Sequence, residues 1–220
     1  LDGITWTQVF TANSPASITG VYSMAVYDEG TGPALYIGVG NTGGTADGDV
    51  WRSFDGVTWE ISYDSASGNN RINILTVIDD TLYAGTSRAS GSGEVMYYNS
   101  TNDWGSQVAT REVNGIDKFG SEIYYVSRNA VFILYSPGGS ISSIAGGVDG
   151  NLVHSLRTFS GKIYAGHNHA TINRLANSTD PTSWEYQNIP SSTTIPNMRE
   201  LSDGHLYLPI IQTNNATLWR

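Results

Sequence analysis

The chain has 220 residues, a length that suits a single all-β domain. Only 14% of its residues are charged, and the net charge of -9 reflects 20 acidic residues against 11 basic ones. Because every phosphate contact needs a Lys or Arg, this balance argues against nucleic acids and anionic membrane surfaces as partners. No apolar run approaches the roughly 18 residues of a membrane-spanning helix. We therefore expect no nucleic-acid partner and no membrane insertion.

The scarcity of some residue types bounds the chemistry and the location of the protein. There is no Cys, which excludes disulfides, thiolate metal sites and a Cys nucleophile. Lys118 and Lys162 are the only lysines of the sequence. Three N-x-S/T sequons, at Asn99, Asn177 and Asn215, are candidate glycosylation sites. Together these features favour an extracellular position or one on the surface of a cell or virion.

A short motif recurs five times along the chain. It consists of an apolar residue, a Tyr and usually a small residue, as in LYIG, LYAG and IYAG. The repeating tyrosines are Tyr36, Tyr83, Tyr124, Tyr164 and Tyr207, spaced by 40 to 47 residues. Counting on from Tyr207 through the C-terminus to the N-terminus and then to Tyr36 adds a similar interval of 49. Repeats of this period indicate an array of equivalent structural units.

Each repeat unit contains the pattern of four short strands. An apolar run leads through a polar turn into the Tyr motif, which predicts a β-hairpin, and a third and a fourth strand follow. A Trp near the start of the fourth strand occurs in most units but is missing from the third. This is the pattern of a four-stranded antiparallel β-propeller blade. We predict one domain over residues 1–220, with blades at about 21–63, 72–110, 113–144, 152–189 and 197–220 plus 4–10.

The two ends of the chain carry two halves of one interior phrase. The last residues read ATLWR and the first LDGITWTQ, whereas WRSFDGVTWE stands whole near residue 51. We expect the strand from Ile4 to Phe10 to complete the C-terminal blade and close a five-bladed ring. Closure would hide strand edges that otherwise invite aggregation. The alternative is that these residues were cut from a longer array of repeats.

One turn resembles a known repeat. Residues 53–59, SFDGVTW, resemble the Asp-box or BNR repeat of sialidases, sortilin-like receptors and many secreted propellers, with one residue fewer between Asp and Gly. The shortened form recurs near the N-terminus. The matching residues are Ser53, Asp55, Gly56 and Trp59 in the first copy and Asp2, Gly3 and Trp6 in the second. The resemblance implies a structural turn on the blade rim, and it does not imply sialidase activity, because neither an arginine triad nor a six-bladed ring is indicated.

The repeat also predicts where a ligand would bind. Loops between second and third strands and loops between blades should emerge at one end, which we call the loop face. Four or five residues after each Tyr stand Asn41, Arg88, Arg128 with Asn129, Asn168 with His169, and Gln212, and the first strands begin at Arg71 and Arg111. Arg presents a planar fork to carboxylates and sugar hydroxyls, so we predict ligand binding there. The alternative is that these arginines pair with acids such as Asp64 and Glu112 or lie in water.

Further polar residues are better explained as structural. Asp117, Arg157 and Arg199 fall within the innermost strands, where they line the channel and form an ion network. His167 and His169 share one side of a strand as two metal ligands would, but no third ligand stands nearby. The segment 47–49, DGD, has too few ligands for a calcium loop. We expect no metal and no cofactor.

The sequence therefore favours binding over catalysis. It has no G-x-S-x-G elbow, no P-loop and no dinucleotide fingerprint. The leading hypothesis is a secreted or surface-exposed binding module that recognises glycans or another extracellular partner through its loop face. The second is a self-associating structural subunit of an extracellular fibre, coat or appendage. The third is a polysaccharide hydrolase or lyase, because the spacing of a carboxylate pair cannot be read from sequence.

Overall fold

The described part of the chain is built from antiparallel β-strands and contains no helix. The computed structural model describes residues 7–11, 18–41, 48–65, 68–88, 92–99, 103–109, 111–127, 130–134, 141–143, 152–169, 172–189, 195, 198–212 and 215–220. The expectation of an all-β chain of antiparallel sheets is confirmed.

The strands fall into five consecutive groups, which we call units 1 to 5, each an antiparallel meander. Unit 1 comprises β1 (Gly20–Asp28), β2 (Pro33–Gly40), β3 (Val50–Ser53) and β4 (Glu60–Tyr63). Unit 2 comprises β5 (Asn69–Ile78), β6 (Thr81–Arg88), β7 (Glu94–Asn99) and β8 (Asp103–Val108). Unit 3 comprises β9 (Val113–Phe119), β10 (Glu122–Ser127), β11 (Ala130–Leu134) and β12 (Ile141–Ser143). Unit 4 comprises β13 (Leu152–Phe159), β14 (Lys162–His169), β15 (Ile172–Asp180) and β16 (Ser183–Ile189), and unit 5 comprises β17 (Arg199–Glu200), β18 (Leu206–Gln212) and β19 (Asn215–Trp219).

The first two units are joined by strand pairing. β2 pairs with β5 through Gly40 and Arg71, so that eight strands form one sheet. Units 3 and 4 are separate four-stranded sheets, and the described strands of unit 5 form a three-stranded sheet. Tight turns set the registers of the hairpins: Asp79 and Asp80 both have positive φ in the two-residue turn between β5 and β6. Asp tolerates this conformation better than most residues, and its polar side chain suits an exposed turn.

The hydrophobic cores lie between successive units, and the repeated apolar-Tyr pair builds them. Successive residues of a strand point to opposite faces of the sheet. Leu82 therefore packs into the core between units 1 and 2, while its neighbour Tyr83 packs into the core between units 2 and 3. Ile123 and Tyr124 divide in the same way between the two cores that flank unit 3. In units 2, 3 and 4 the motif read from the sequence thus packs against both the preceding and the following unit.

A side-chain hydrogen bond is repeated between successive units, and it runs from the first strand of one unit to the first strand of the next or, after unit 4, to Ile195, which lies just before β17. In each case a Ser or Asn at a β-bulge, or directly after it, donates to a main-chain carbonyl of the next unit. The four bonds are Ser23 Oγ to Ile72 O (3.3 Å), Asn73 Nδ2 to Val113 O (3.0 Å), Asn114 Nδ2 to Val153 O (3.2 Å) and Ser155 Oγ to Ile195 O (2.8 Å). We call these four bonds the inter-unit ladder. It gives a main-chain carbonyl at each of these junctions a hydrogen-bond donor from the preceding unit.

The small residue of the repeat motif allows close approach between units. A Cβ on Gly85 would lie 2.6 Å from Cγ1 of Val113, and one on Gly166 would lie 2.8 Å from Cβ of Ile195. Both distances are shorter than real contacts allow, so a glycine is needed where the β-branched residue of the next unit packs. This explains why Gly follows the Tyr at a fixed interval in most repeats.

The predicted N-terminal strand from Ile4 to Phe10 lies partly outside the described residues. Its described part, within residues 7–11, forms no strand and packs on the outer strands of unit 1. The Phe10 ring lies 5.4 Å from the Trp51 ring and 5.1 Å from the Trp59 ring, both edge to face. Residues 7–11 therefore contact unit 1 on its outer side.

Candidate functional site

The loop face is formed where second strands end and the next first strands begin. Gly40 at the end of β2 pairs with Arg71, and Asn69 at the start of β5 pairs with Arg88 at the end of β6. The main-chain N–H of Asn41 donates to the carbonyl of Asn70 at 2.8 Å. Three of the predicted ligand residues, Asn41, Arg71 and Arg88, are therefore neighbours on this face.

Arg88 is held inside a buried polar cluster. Its Nη2 donates to Oε1 of Glu94 at 2.7 Å, and its Nε donates to Oδ1 of Asn69 at 3.1 Å. The Asn69 amide also accepts from the Thr86 hydroxyl at 3.1 Å and donates to Oε2 of Glu94 at 2.9 Å. Asn69 and Thr86 are fully buried, so this cluster fixes the Arg88 guanidinium in one orientation. The acid that pairs with Arg88 is Glu94, not Asp64 or Glu112.

Arg71 lies beside an exposed aromatic ring. Its guanidinium stands over the Tyr22 ring at 5.0 Å from the centroid, within the range of a cation–π contact. Its Nε donates to the side-chain carbonyl of Asn73. Tyr22 is 36% exposed, and Asn41 close by is buried. On the loop face, Arg71 and Tyr22 are thus the predicted cation and an unpredicted aromatic partner in one place.

The other predicted ligand residues lie further along the same face or are not described. Arg111 is exposed, and its main-chain N–H donates to Oγ of Ser127 at 3.0 Å, at the end of β10. Asn168 and His169 end β14, and Gln212 ends β18, without a description of their side chains. Arg128 and Asn129 lie outside the described residues. The structure therefore brings Asn41, Arg71 and Arg88 together and leaves the other six positions as predictions.

A central cavity of about 210 Å³ lies between the first strands of the units. Its walls come from the first strands of units 1 to 4 and from the start of unit 5. The lining side chains include Tyr22, Asn73, Thr76, Asn114, Arg157 and Arg199. Two of the three residues expected in the innermost strands, Arg157 and Arg199, thus line one cavity.

The third of these residues, Asp117, is a buried acid near Arg157. Nη1 of Arg157 lies 3.8 Å from Oδ2 of Asp117, too far for a hydrogen bond. The carboxylate accepts instead from the main-chain N–H groups of Thr158 at 2.6 Å and Lys118 at 2.9 Å. Burial raises the pKa of Asp117, although these two hydrogen bonds and the charge of Arg157 favour the ionised form. The expected ion network is therefore a single long pair among the described residues.

The Asp-box-like turn is closed by its own polar side chains. Oδ1 of Asp55 accepts from the main-chain N–H groups of Val57 at 2.8 Å and Thr58 at 2.7 Å, and Ser53 Oγ accepts from the N–H of Gly56 at 2.8 Å. These hydrogen bonds lower the pKa of Asp55 to about 2. Gly56 has a φ of 75°.

Trp59 extends from this turn to the N-terminal segment. Its indole Nε1 donates to the main-chain carbonyl of Val9 at 2.9 Å. The hydrogen bonds of Asp55 and Trp59 thus hold the turn together and join it to residues 7–11. Asp2, Gly3 and Trp6 of the second copy lie outside the described residues.

A second polar cluster, which sequence analysis missed, lies at the opposite ends of the strands. Nη1 of Arg52 contacts both carboxylate oxygens of Glu29 at 2.6 and 2.7 Å, and its Nε donates to Glu60 at 2.7 Å. The hydroxyls of Tyr36 and Tyr98 also donate to Glu29. Burial raises the pKa of Tyr36 to about 12, so this phenol remains neutral. The cluster ties the β1–β2 turn to unit 2 through Tyr98, which lies in β7.

The metal and glycosylation candidates have the following positions. His167 is fully buried and its ring lies 5.6 Å from the Tyr186 ring, while Asp49 accepts from the N–H of Ser65 at 2.9 Å. The described residues contain no group of three His, Cys, Asp or Glu side chains that would hold a metal ion. Asn99 is exposed at the end of β7, Asn177 accepts from Lys162 Nζ at 3.0 Å, and Asn215 begins β19.

Sequence analysis also missed Asn69, Glu94 and Tyr22. Asn69 and Glu94 each stand at the first residue of a strand, Asn69 directly after Gly68 and Glu94 directly after Gly93. A polar residue after Gly at a strand start was the available signal, but it occurs too often to mark a site. Tyr22 occupies the bulge of β1, and a bulge is a property of strand pairing that sequence does not show.

Solved structures similar to this chain share its fold at low sequence identity. The extracellular domain of a protein assigned as a hybrid two-component system of B. thetaiotaomicron has a TM-score of 0.65 at 16% identity over 96% of this chain and 28% of its own. YCF48 bound to D1 peptide has a TM-score of 0.60 at 13% identity over 92% and 65% of the two chains. A bifunctional GH43-CE protein of Bacteroides eggerthii has a TM-score of 0.53 at 12% identity over 91% and 34%.

These likenesses show the fold alone, which is all-β and similar to β-propellers. This chain spans less than two thirds of each of the three neighbours. No protein-family model matches the sequence, and no curated protein is similar to it at a significant level. In the described part of the chain no helix has the length and hydropathy of a membrane span.

Proposed function

We propose that the chain is a closed five-bladed β-propeller whose blades are units 1 to 5, with the N-terminal segment completing the last blade. The central cavity, with walls from the first strands of all five units, supports a ring arrangement. On β1 the face with Val21, Met24 and Val26 is 47, 58 and 65% exposed, and the last blade would cover it in a closed ring.

Substitution of Val26 by Lys tests closure. If the last blade covers β1, Val26→Lys buries a charge and destabilises the fold by about 2 kcal/mol or more. Val57→Lys, at a residue 73% exposed on the rim turn, is the matched control and should change stability by less than about 0.5 kcal/mol. Equal stability of the two variants in urea unfolding would mean that the face of β1 stays in solvent.

We propose further that the protein is a non-catalytic binding module, outside the cell or on its surface, that recognises glycans or another extracellular partner through its loop face. The observation that carries this proposal is the stack of Arg71 on the exposed Tyr22 ring, next to Arg88. An aromatic ring offers an apolar surface to a sugar face or a side chain, and guanidinium groups bond hydroxyls and carboxylates. The extracellular neighbour and the peptide-bound neighbour are compatible with a glycan and with a protein partner, respectively.

Binding to a broad glycan array and to a panel of extracellular proteins tests the loop face. Tyr22→Ala and Arg71→Ala should remove a specific signal by about tenfold or more in affinity. Arg174→Ala is the matched control, because Arg174 also stacks on a tyrosine, Tyr186 at 5.6 Å, but lies on the third strand of unit 4. A signal that survives both loop-face variants would place the binding site elsewhere, and the absence of any signal would remove this proposal.

A structural subunit that self-associates is the second candidate. Phe54, Val57 and Ile61 are exposed together on the rim of unit 1, at and after the β3–β4 turn. Exposed apolar clusters of this kind mark protein contacts. Light scattering across a range of concentrations separates the two candidates, since a subunit assembles and loses assembly in Phe54→Ser, whereas a binding module keeps one mass throughout.

A further inference from the structure

The central cavity has room for a small organic molecule. Its volume is about 210 Å³. A site for one water needs roughly 10–15 Å³ on the same measure, so the cavity admits a ligand with on the order of a dozen non-hydrogen atoms. Part of its wall is apolar, from Leu75, Ile116, Leu156 and Met198. A cavity of this size and mixed lining fits the body of a sugar acid or another small organic acid.

Half of the polar groups in the cavity wall are already used by the fold. The side chains of Ser23, Asn73, Asn114 and Ser155 donate to the inter-unit ladder. The side-chain carbonyls of the two asparagines are also occupied, since Asn73 accepts from Arg71 and Asn114 accepts from Asn73. These residues shape the cavity, but they have few groups left with which to recognise a ligand.

Arg157 of the wall differs from these residues, because the described residues leave one of its donors without a partner. Nε of Arg157 is buried and has no hydrogen-bond partner among the described residues. Its nearest acid, Asp117, stays 3.8 Å away and spends its oxygens on the N–H groups of Thr158 and Lys118. Arg199, on the next first strand along the chain, lines the same cavity.

We propose that this cavity binds a small organic carboxylate, with Arg157 and Arg199 holding the carboxylate group. The Arg157 side chain is 33% exposed, but its Nε–H is buried, and a buried N–H without a partner is costly unless a ligand or water satisfies it. A planar carboxylate matches the guanidinium fork in a bidentate pair, which favours this anion among the small ones. The apolar part of the wall accounts for an organic body. Tyr22 of the loop face also lines this cavity, whereas Arg157 and Arg199 belong to the cavity alone, so variants of these two arginines distinguish this site from the proposed loop-face function.

Calorimetric titration of the full chain with matched small molecules tests the site. D-glucuronate should bind, whereas D-glucose, which lacks the carboxylate, and sulfate, which lacks the organic body, should not. Competition by acetate would show that any organic carboxylate enters, while failure of acetate to compete would restrict the ligand to sugar acids. Binding of glucose as tight as that of glucuronate, tighter binding of sulfate, or no binding of either carboxylate would overturn the proposal.

Variants then assign the arginines. Arg157→Gln and Arg199→Gln should each weaken glucuronate binding by about tenfold or more. Arg174→Gln keeps the same change of charge outside the cavity and should leave binding unchanged. Arg157→Lys keeps the charge but loses the fork, so it should fall between wild type and Arg157→Gln if the protein remains folded by circular dichroism. Wild-type affinity in folded Arg157→Gln and Arg199→Gln would overturn the assignment.

Discussion

The inter-unit ladder predicts a specific loss of stability when Asn114 is replaced by Ala. Nδ2 of Asn114 donates to the Val153 carbonyl of unit 4 at 3.2 Å, and its Oδ1 accepts from Asn73 of unit 2 at 3.1 Å. One side chain therefore links three units. Asn114→Ala removes both bonds and leaves the Val153 carbonyl without its partner from Asn114.

The expected magnitude follows from these two bonds. Each is worth about 1 kcal/mol net, and a buried group left without a partner costs about 1–3 kcal/mol. We expect Asn114→Ala to lower the free energy of unfolding by about 2–3 kcal/mol. For a chain of this size that corresponds to a fall in Tm of about 5–10 °C. Asn73→Ala should act similarly, and the double variant should lose less than the sum of the two, because they share a bond.

Urea and thermal unfolding, followed by circular dichroism, give the measurement. Asn188→Ala is the matched control, because Asn188 is exposed on the outer strand β16, where its side-chain carbonyl accepts a hydrogen bond from Arg174 Nε at 3.2 Å. That control should change stability by less than about 0.5 kcal/mol. If Asn114→Ala were no less stable than Asn188→Ala, the ladder would contribute nothing and the argument would be refuted.

Two further predictions concern the repeat motif and the rim turn. Gly85→Ala places a Cβ 2.6 Å from Val113 Cγ1 and should lower the free energy of unfolding in urea by about 1–3 kcal/mol. Adding Val113→Ala should restore part of this loss, and unchanged stability of Gly85→Ala would contradict the close approach. The carboxylate of Asp55 has its pKa lowered from 3.8 to about 2, so its contribution to stability is complete above pH 3.8 and is lost as the pH falls toward 2. The Tm difference between wild type and Asp55→Asn should therefore be constant from neutral pH to about pH 5 and shrink in more acidic buffer, and a difference that does not change with pH would exclude this role.

The sequence contained most of the information needed for the strands. The apolar-Tyr motif predicted the second strand of each hairpin, and the cores on the two sides of Leu82 and Tyr83 show that this strand is buried on both faces. Turn residues such as Asp79-Asp80 marked the hairpins. The pairing of β2 with β5, which joins units 1 and 2 in one sheet, was not predicted, because one pair of residues leaves no periodic signal.

The candidate site was predictable only in part, for a physical reason. Counting from the Tyr placed Asn41, Arg71 and Arg88 near one another, since antiparallel strands bring alternate ends together. Whether an arginine faces a ligand or an acid depends on the side chains around it, which the count does not provide. Arg88 proved to be held by Glu94, whereas Arg157, expected in an ion network, keeps an unused N–H. Burial and hydrogen-bond partners are three-dimensional properties. Because of them, Arg88, expected to bind a ligand, is paired with an acid, and Arg157, expected to pair with an acid, is now the candidate for binding a ligand.

The third unit shows how such a repeat changes without losing its packing. In unit 3 the position two residues after the Tyr, which Gly occupies in most repeats, is taken by Val126. A side chain at the equivalent position of units 2 and 4 would collide with the residue that packs there. The cross-strand partner of Val126 on β9 is Gly115, and a Cβ there would lie 2.7 Å from the main-chain N of Leu156 in unit 4. The glycine has thus moved to the opposite member of the same strand pair, so that the two units still approach closely. By sequence alone, unit 3 has lost the glycine of the motif. The space between the sheets depends on both residues of the cross-strand pair, and the pair of Val126 with Gly115 still contains one glycine.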